Sequence, residues 1–394
     1  MKKSPLSVQV GLFALIRIAL NSAYRMVYPF LALFARGLGV DVETFSLVLT
    51  GRSLLGLLSP LVAPLADRRG RKVSMLLGLG IYTLGAGAVA LFPSLFTFIL
   101  ALLLSSLGNI IFVPAMQAYL GDAVPYARRG RVMAITELSW SLAFIAGVPL
   151  LGWLLSGRGW SAPFELLAVL GVICLALIAL FIPNPRPELQ RDADGVAIQP
   201  GGLRSVLAMP AVLATLLLSF SITTGNEVVN LMFGVWLEES FNLRLEALAA
   251  STAVLGLAEL SGESLTAALV DRLGKHRAIR IGILANMAAC LSLWLLGRSA
   301  AGALFSLFLF YLSFEFTMVS SLPLISEVAP GARATLLAVN MMIFSLGRGA
   351  GALLGPQLYK LGFGANALAA VAFNLVAFLA LRGVKEGLPN PRVA

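Results

Sequence analysis

The chain has 394 residues, of which 59% are hydrophobic and only 12% are charged, whereas a soluble domain carries about 25% charged residues. This composition excludes a soluble enzyme or binding module, because too few polar side chains are available to face water, and it predicts an integral protein of the lipid bilayer. The net charge of +10 does not indicate nucleic-acid binding, since Lys and Arg also mark the cytoplasmic loops of membrane proteins.

Twelve apolar segments are each long enough to cross a membrane, which takes about 20 residues. They are residues 8–35, 45–66, 73–92, 95–120, 131–155, 162–183, 210–237, 247–270, 279–297, 301–325, 334–356 and 363–382. One long polar connection, rich in Pro, Gly and charge, follows the sixth segment and is typical of a linker. The sequence therefore predicts an N-terminal six-helix bundle over residues 1–183, a cytoplasmic linker over 184–206 and a C-terminal six-helix bundle over 207–394.

Lys and Arg are distributed unevenly between the two predicted sides of the membrane. The connections on one side hold only Arg36, Arg158, Arg244, Arg298 and Lys360. Since cytoplasmic loops carry the excess of positive charge, the remaining connections and both termini are predicted to be cytoplasmic.

A basic turn between the second and third segments recurs between the eighth and ninth. The first copy reads Ala63-Pro-Leu-Ala-Asp67-Arg68-Arg69-Gly70-Arg71-Lys72, and the second reads Ala267-Ala-Leu-Val-Asp271-Arg272-Leu273-Gly274-Lys275-His276. At nearly the same offset, Asp122-Ala-Val-Pro125-Tyr-Ala-Arg128 matches Glu327-Val-Ala-Pro330-Gly-Ala-Arg333. Repeats of six helices have the same orientation, so the halves are predicted to be related by an axis along the membrane normal.

The first copy of this turn resembles the Gly-x-x-x-Asp-Arg-x-Gly-Arg-Lys/Arg motif of the major facilitator superfamily, with Ala63 in place of the leading Gly. The resemblance covers essentially the whole chain and is nearest in pattern to drug:H+ antiporter-like members, although the Arg that many drug exporters carry in the fourth helix is absent before Gly108. It implies an all-α membrane fold of twelve transmembrane helices, built as two six-helix bundles related by pseudo-two-fold symmetry. It also implies a gating role for the turn and its partners: Asp67, Arg68, Gly70, Arg71, Asp122, Asp271, Arg272 and Gly274.

Two physical features support this gating interpretation. Gly70 allows a tight turn at low steric cost, and Arg71 is placed to pair with Asp122 at the end of the fourth segment. The alternative is that the basic residues of the turn serve only as orientation signals.

Ionisable residues also lie inside the predicted segments, where each costs about 3 kcal/mol if it faces lipid. They are Arg17, Arg25, Arg52, Glu137, Glu227, Glu259, Glu263, Glu315 and Arg348. This cost predicts that they face one another or a polar cavity. For Arg17 and Arg52, a fixed ion pair between helices is the alternative to a functional role.

Two segments combine these charges with other polar residues on one helical face. The candidate substrate-binding cavity comprises Arg17, Asn21, Tyr24, Arg25 and Tyr28 of the first segment and Asn226, Glu227 and Asn230 of the seventh. Arg25 and Glu227 are a candidate pair. The proton-coupling candidates are Glu227, Glu259, Glu263 and Glu315, whereas Glu137 is interpreted as a gate or interface residue and Arg348 as a packing residue.

No nucleotide-binding, metal-binding or hydrolase motif is present, so no cofactor, metal ion or enzymatic activity is predicted. We expect a monomeric secondary transporter of the plasma (bacterial inner) membrane, whose partners are a small molecule and protons. Proton-coupled efflux of an amphipathic compound is the first interpretation. An organic-anion transporter using Arg17, Arg25 and Arg52, or a lipid flippase, is the alternative.

Overall fold

The computed structural model describes residues 5–62, 70–183, 207–329 and 332–384. Within these ranges all regular elements are helical, and twelve helices are long and apolar enough to span a membrane. We label them α1 to α12: Leu6–Arg25, Val42–Leu61, Arg71–Leu91, Leu95–Ala123, Arg128–Arg158, Ala162–Phe181, Pro210–Phe241, Leu245–Leu273, Lys275–Leu296, Ala300–Val328, Thr335–Tyr359 and Phe363–Leu381. The predicted all-α architecture with twelve transmembrane segments is therefore confirmed.

The first helix is shorter than its apolar segment. The segment predicts a span to residue 35, but α1 ends at Arg25 and a short helix, Leu31–Leu38, follows a turn. Pro29 accounts for this end, since a proline ring clashes with the carbonyl group four residues earlier, which belongs to Arg25.

Two other helices have irregular turns. A π-helical turn, Ala143–Gly147, interrupts α5, and α7 consists of Pro210–Asn230 and Phe233–Phe241. Such single-turn π segments occur frequently at functional sites. Both irregularities lie beside residues of the candidate cavity.

The chain divides into two compact units. The first comprises Met1–Gln190 and Asn242–Gly256, and the second comprises Arg191–Phe241 and Leu257–Ala394. The segment Asn242–Gly256, which chain order alone assigns to the C-terminal bundle, packs on α5. There the Thr252 hydroxyl donates to the Phe144 carbonyl over 3.1 Å.

Equivalent helices make equivalent contacts inside the two units. In the first unit α3 packs on α4 and α6, and in the second unit α9 packs on α10 and α12. A Cβ atom on Gly78 of α3 would lie 2.6 Å from the Gly108 carbonyl of α4. At the corresponding place in α9, a Cβ atom on Gly282 would overlap the Thr317 hydroxyl of α10. The internal repeat predicted from the sequence is thus present in the packing, because small residues let the helices approach closely.

The outward faces of these helices are apolar. Large exposed side chains include Leu15, Leu84, Leu180, Leu217 and Leu379. Exposed leucines at this density are expected on helices that face lipid rather than water.

Candidate functional site

In the first unit, Arg17 of α1 pairs with Glu137 of α5. The two Arg17 terminal nitrogens lie 2.5 and 2.9 Å from the two Glu137 carboxylate oxygens, which is the bidentate arrangement that gives strong, oriented contacts. Gln117 of α4 donates to the same carboxylate over 3.2 Å. For Arg17, the predicted alternative of an ion pair between helices therefore agrees with the geometry.

Arg25 lies two turns further along the same face of α1, among aromatic side chains of α5. Its Nη1 atom donates to the Trp140 carbonyl over 2.9 Å. Its guanidinium carbon lies 4.3 Å from the Trp140 ring centre and 3.4 Å from that of Phe144, within the range of cation–π attraction. Phe144 belongs to the π-helical turn of α5, and Asn21 donates to Ser139 over 3.2 Å nearby. The π turn thus places an aromatic ring against a buried cation.

Arg52 of α2 is 1% exposed and lies against two tyrosines of the cavity face. Its terminal nitrogens donate to the Tyr24 carbonyl over 3.0 Å and to the Tyr28 hydroxyl over 3.1 Å. Its guanidinium carbon lies 3.9 Å from the Tyr24 ring centre. Within the part of the chain that the structure describes, no carboxylate contacts Arg52, so the predicted ion pair is not found for this residue.

In the second unit, Glu227 of α7 begins a hydrogen-bonded chain of polar side chains. Glu227 is 2% exposed and accepts from the Asn230 amide nitrogen over 3.3 Å. Tyr311 of α10 donates to the Asn230 amide oxygen over 2.5 Å. Because the amide oxygen is occupied by Tyr311, the amide nitrogen is directed to Glu227. Asn226 lies beside this chain, and its Oδ1 atom is buried with no hydrogen-bond partner among the described residues.

The other predicted proton carriers lie at the contact between α8 and α10. A Cβ atom on Gly262 of α8 would lie 2.6 Å from the Leu312 carbonyl and 3.0 Å from the Glu315 Cβ atom. Glu259 and Glu263 flank this glycine on α8; Glu259 is 2% exposed and Glu263 is partly buried. The three candidate acids therefore lie on two helices, α8 and α10, close to the point where these helices make contact.

The charged turns repeat in geometry as well as in sequence. Arg71 Nε lies 3.3 Å from Asp122 Oδ2, so the predicted pair is present, and Lys275 pairs with Glu327 at the corresponding place in the second unit. Gly70 and Gly274, each directly before a helix, adopt positive φ angles of 91° and 78°, which favour glycine. Asp271 and Arg272 are exposed at the end of α8, while Asp67 and Arg68 lie outside the described residues.

Several contact residues are absent from the sequence-based prediction, namely Gln117, Ser139, Phe144, Tyr311 and the Lys275–Glu327 pair, whereas Trp140 is expected only as a candidate aromatic surface. The pair could have been found, because Lys275 corresponds to Arg71 and Glu327 to Asp122 in the repeat. Trp140 and Phe144 share a helical face with Glu137 at spacings of three and seven residues, but this pattern is common in packing surfaces. Among the described residues, no group of three or more His, Cys, Asp or Glu side chains is placed to hold a metal ion.

Comparison with known proteins identifies the family. The model of the Major Facilitator Superfamily matches residues 13–352. The chain belongs to the major facilitator superfamily. The polar contacts described above are therefore those of a multi-pass membrane transporter.

Bacterial transporters resemble this superfamily member along most of its length. The uncharacterised MFS-type transporter YwfA of Bacillus subtilis is 28% identical over 95% of this chain and 90% of its own length. The inner membrane transport protein YdhP of Escherichia coli K12 is 26% identical over 89% of this chain and 88% of its own length. A homologue of the multi-drug resistance efflux pump PmrA from Lactococcus lactis is 24% identical over 67% of this chain and 66% of its own length. These relatives are transporters rather than enzymes.

A solved structure has the same fold. The D-xylose–proton symporter is similar to this superfamily member with a TM-score of 0.80, covering 97% of this chain and 99% of that chain. The sequence identity is 15%, so this likeness concerns the fold alone.

Proposed function

We propose that this superfamily member is a proton-coupled exporter of a small amphipathic compound that works by alternating access. The observation that carries this proposal is the buried Glu227 in its hydrogen-bonded chain with Asn230 and Tyr311. The name of the Lactococcus lactis relative, an efflux pump homologue, supports the direction of transport. The distribution of Lys and Arg supports cytoplasmic termini, and the polar connection 184–206 supports a division into two six-helix domains. We propose that the chain acts as a monomer.

Glu227 has the surroundings that a proton carrier needs. An ionisable group inside a membrane protein is costly unless it is paired or serves a pathway. The Asn230 amide donates to the carboxylate over 3.3 Å, so the carboxylate has a polar partner inside the membrane. A Cβ atom on Gly351 would lie 2.5 Å from the Glu227 Cβ atom, so α7 and α11 approach each other closely at the base of this side chain. A movement of either helix then changes the environment of the proton site.

Further acids and an aromatic surface complete the proposal. Glu259, Glu263 and Glu315 are proposed as further proton carriers, because they lie at the close contact of α8 with α10. In the first unit, Tyr24 and Tyr28 provide apolar surface beside polar groups of α1. Such a mixture of aromatic and polar side chains suits an amphipathic compound.

Flux in proteoliposomes tests this proposal. The full chain is reconstituted, a pH gradient is imposed, and the exchange of a panel of lipophilic cations and organic anions against protons is measured. We expect wild type to move cations against protons and Glu227→Gln to abolish that exchange. The matched control is Glu246→Gln, the same chemical change at an exposed position, which should keep the wild-type rate. Undiminished proton-coupled flux in Glu227→Gln, with unchanged folding and insertion, would remove Glu227 from the mechanism.

A second candidate, transport of an organic anion, is favoured by the surroundings of Arg52. A buried cation is stabilised when an opposite charge reaches it, and the Arg52 guanidinium donates to the Tyr24 carbonyl and the Tyr28 hydroxyl. Under this candidate, anions alone cross the membrane and Arg52→Gln stops their movement. Arg298→Gln, at an exposed arginine, is the matched control. Movement of lipid analogues in the absence of both activities would point instead to the flippase alternative.

A further inference from the structure

A small cavity lies at one end of the second unit, between α9 and α12. Its volume is about 160 Å³, and it is lined by Arg280, Phe378, Leu381 and Arg382. Arg280 is in the second turn of α9, and Arg382 directly follows the last residue of α12. Two arginines from different helices thus share one cavity with two apolar side chains.

The charge of this cavity is strongly positive. Both guanidinium groups are on exposed residues, and in the described ranges no acidic side chain contacts either of them. The Arg382 guanidinium lies over the Phe378 ring, 5.7 Å from its centre, which orients it along the cavity wall. Two like charges that line one cavity repel each other, so an anion between them is stabilised.

The alignment of α9 with α12 shows where this cavity lies along the membrane normal. The Asn374 amide of α12 donates to the Asn286 amide oxygen of α9 over 2.8 Å. Arg280 lies six residues before Asn286, which is about 9 Å along a helix, and it is close to the beginning of α9. The cavity is therefore at the level of the lipid headgroups, where a helix that spans the membrane ends.

Apolar side chains continue from the cavity towards the membrane centre. Ile281 and Leu284 of α9 are exposed, and so are Leu375 and Leu379 of α12. Exposed apolar side chains on both helices offer a surface for an acyl chain, whereas a free phosphate ion has no apolar part that could contact it.

We propose that this cavity binds the phosphate headgroup of an anionic phospholipid. Arg280 and Arg382 hold the phosphate oxygens, for which guanidinium groups are well suited, and the acyl chain lies along the exposed apolar residues. With the termini oriented as proposed above, this end faces the cytoplasmic leaflet, which carries anionic lipids. The site is independent of the transport function, because it uses none of the residues assigned to proton or substrate binding.

Lipid binding to the purified full chain tests the proposal. The protein is delipidated in detergent, and the affinity for phosphatidylglycerol, phosphatidylcholine and inorganic phosphate is measured by native mass spectrometry and by the shift in melting temperature. We expect phosphatidylglycerol to bind preferentially. Arg280→Gln and Arg382→Gln should each weaken that binding about fivefold, and the double variant about thirtyfold.

Two control variants separate this cavity from general surface charge. Arg277→Gln changes an exposed arginine one turn before Arg280, outside the cavity lining, and Arg298→Gln changes one at the other end of α9. Both should keep the preference for phosphatidylglycerol. An equal loss in Arg277→Gln, or no preference in wild type, would overturn the proposal. So would full displacement of the lipid by inorganic phosphate at millimolar concentration, since the site would then bind a free anion. Melting temperatures without lipid verify that each variant is folded.

Discussion

The two units of this transporter have similar helix packing and different chemistry at corresponding positions. In the first unit, a Cβ atom on Gly147 of α5 would overlap the Ser22 hydroxyl of α1. In the second unit, a Cβ atom on Gly351 of α11 would lie 2.5 Å from the Glu227 Cβ atom of α7. The residue opposite the glycine is thus a serine in the first unit and a glutamate in the second.

The contacts of the buried charged side chains also differ between the two units. In the first unit Arg17 is neutralised directly by Glu137, and Arg25 and Arg52 lie on aromatic rings. In the second unit Glu227 accepts a hydrogen bond from the neutral amide of Asn230. The difference shows that the repeat preserves the close helix contacts, while the side chains at those contacts differ in charge between the two units.

The largest effect is expected from breaking the neutralised pair of the first unit. Glu137→Gln leaves the Arg17 guanidinium, whose side chain is 8% exposed, without its counter-charge. We expect a loss of about 3 kcal/mol in the free energy of unfolding, at the lower end of the range for buried pairs, because the Glu137 side chain is 48% exposed. Thermal unfolding in detergent measures the loss.

A second substitution separates charge from packing at this pair. In the double variant Arg17→Gln, Glu137→Gln, no charge remains at this pair, so most of the lost stability should return. If Glu137→Gln alone melts like wild type, or the double variant melts no higher than the single one, then the pair does not neutralise a buried charge.

A smaller effect is expected at the two glycine contacts. Gly351→Ala and Gly147→Ala each place a methyl group where no space exists, which costs about 1–3 kcal/mol in a packed core. Gly351→Ala should also reduce proton-coupled flux, since the backbone next to Glu227 must shift. Gly147→Ala should lower stability with less effect on proton coupling. Melting temperature and proteoliposome flux, measured on the same preparations, distinguish these results.

Rescue variants sharpen the contrast between the two contacts. Ser22→Gly removes the atoms that the new methyl group of Gly147→Ala would meet, so it should restore stability. Glu227→Asp should not rescue Gly351→Ala, because aspartate keeps the Cβ atom that causes the overlap. Gly87→Ala, at a glycine with open space around it, is the control and should not lower stability. Equal rescue at both contacts would show that the carboxylate is not held by this packing.

The sequence was sufficient to predict the twelve helices, because a bilayer requires long apolar segments whose backbone groups are satisfied within the helix. The end of α1 at Arg25 could also have been predicted from Pro29. The pairing of Arg71 with Asp122 followed from the basic turn. These features depend on local sequence or on a motif.

The contacts inside the membrane could not be predicted in the same way. The polar face of α1 shows that Arg17 needs a partner, but not which of several acids supplies it. Glu137 lies 120 residues away, and its position depends on how α5 is rotated against α1. The hydrogen bonds that link Tyr311, Asn230 and Glu227 likewise depend on the packing of α10 against α7, which cannot be predicted from the sequence alone.

The smallest effect is expected at the exposed ion pairs of the two charged turns. The side chains of Arg71 and Asp122 are 25% and 52% exposed, and those of Lys275 and Glu327 are 31% and 35% exposed. Exposed pairs contribute about 0.2–1 kcal/mol, so Asp122→Asn and Glu327→Gln should hardly change the melting temperature. If the turns are gates, both variants should nevertheless change the turnover rate, and in the same direction, because the two pairs correspond in the repeat.

Salt and a third ion pair separate gating from stability. At about 1 M salt, where charges are screened within about 3 Å, wild type and both variants should turn over at similar rates. Glu165→Gln breaks the Arg158–Glu165 pair, whose atoms are 3.1 Å apart and whose side chains are also exposed, but which lies outside the charged turns. It should leave both stability and turnover unchanged. A gate must affect the rate of opening more than the stability of the folded chain. The gating role would therefore be contradicted if Asp122→Asn lost more than about 2 kcal/mol in the free energy of unfolding, or if both turn variants kept the wild-type turnover rate.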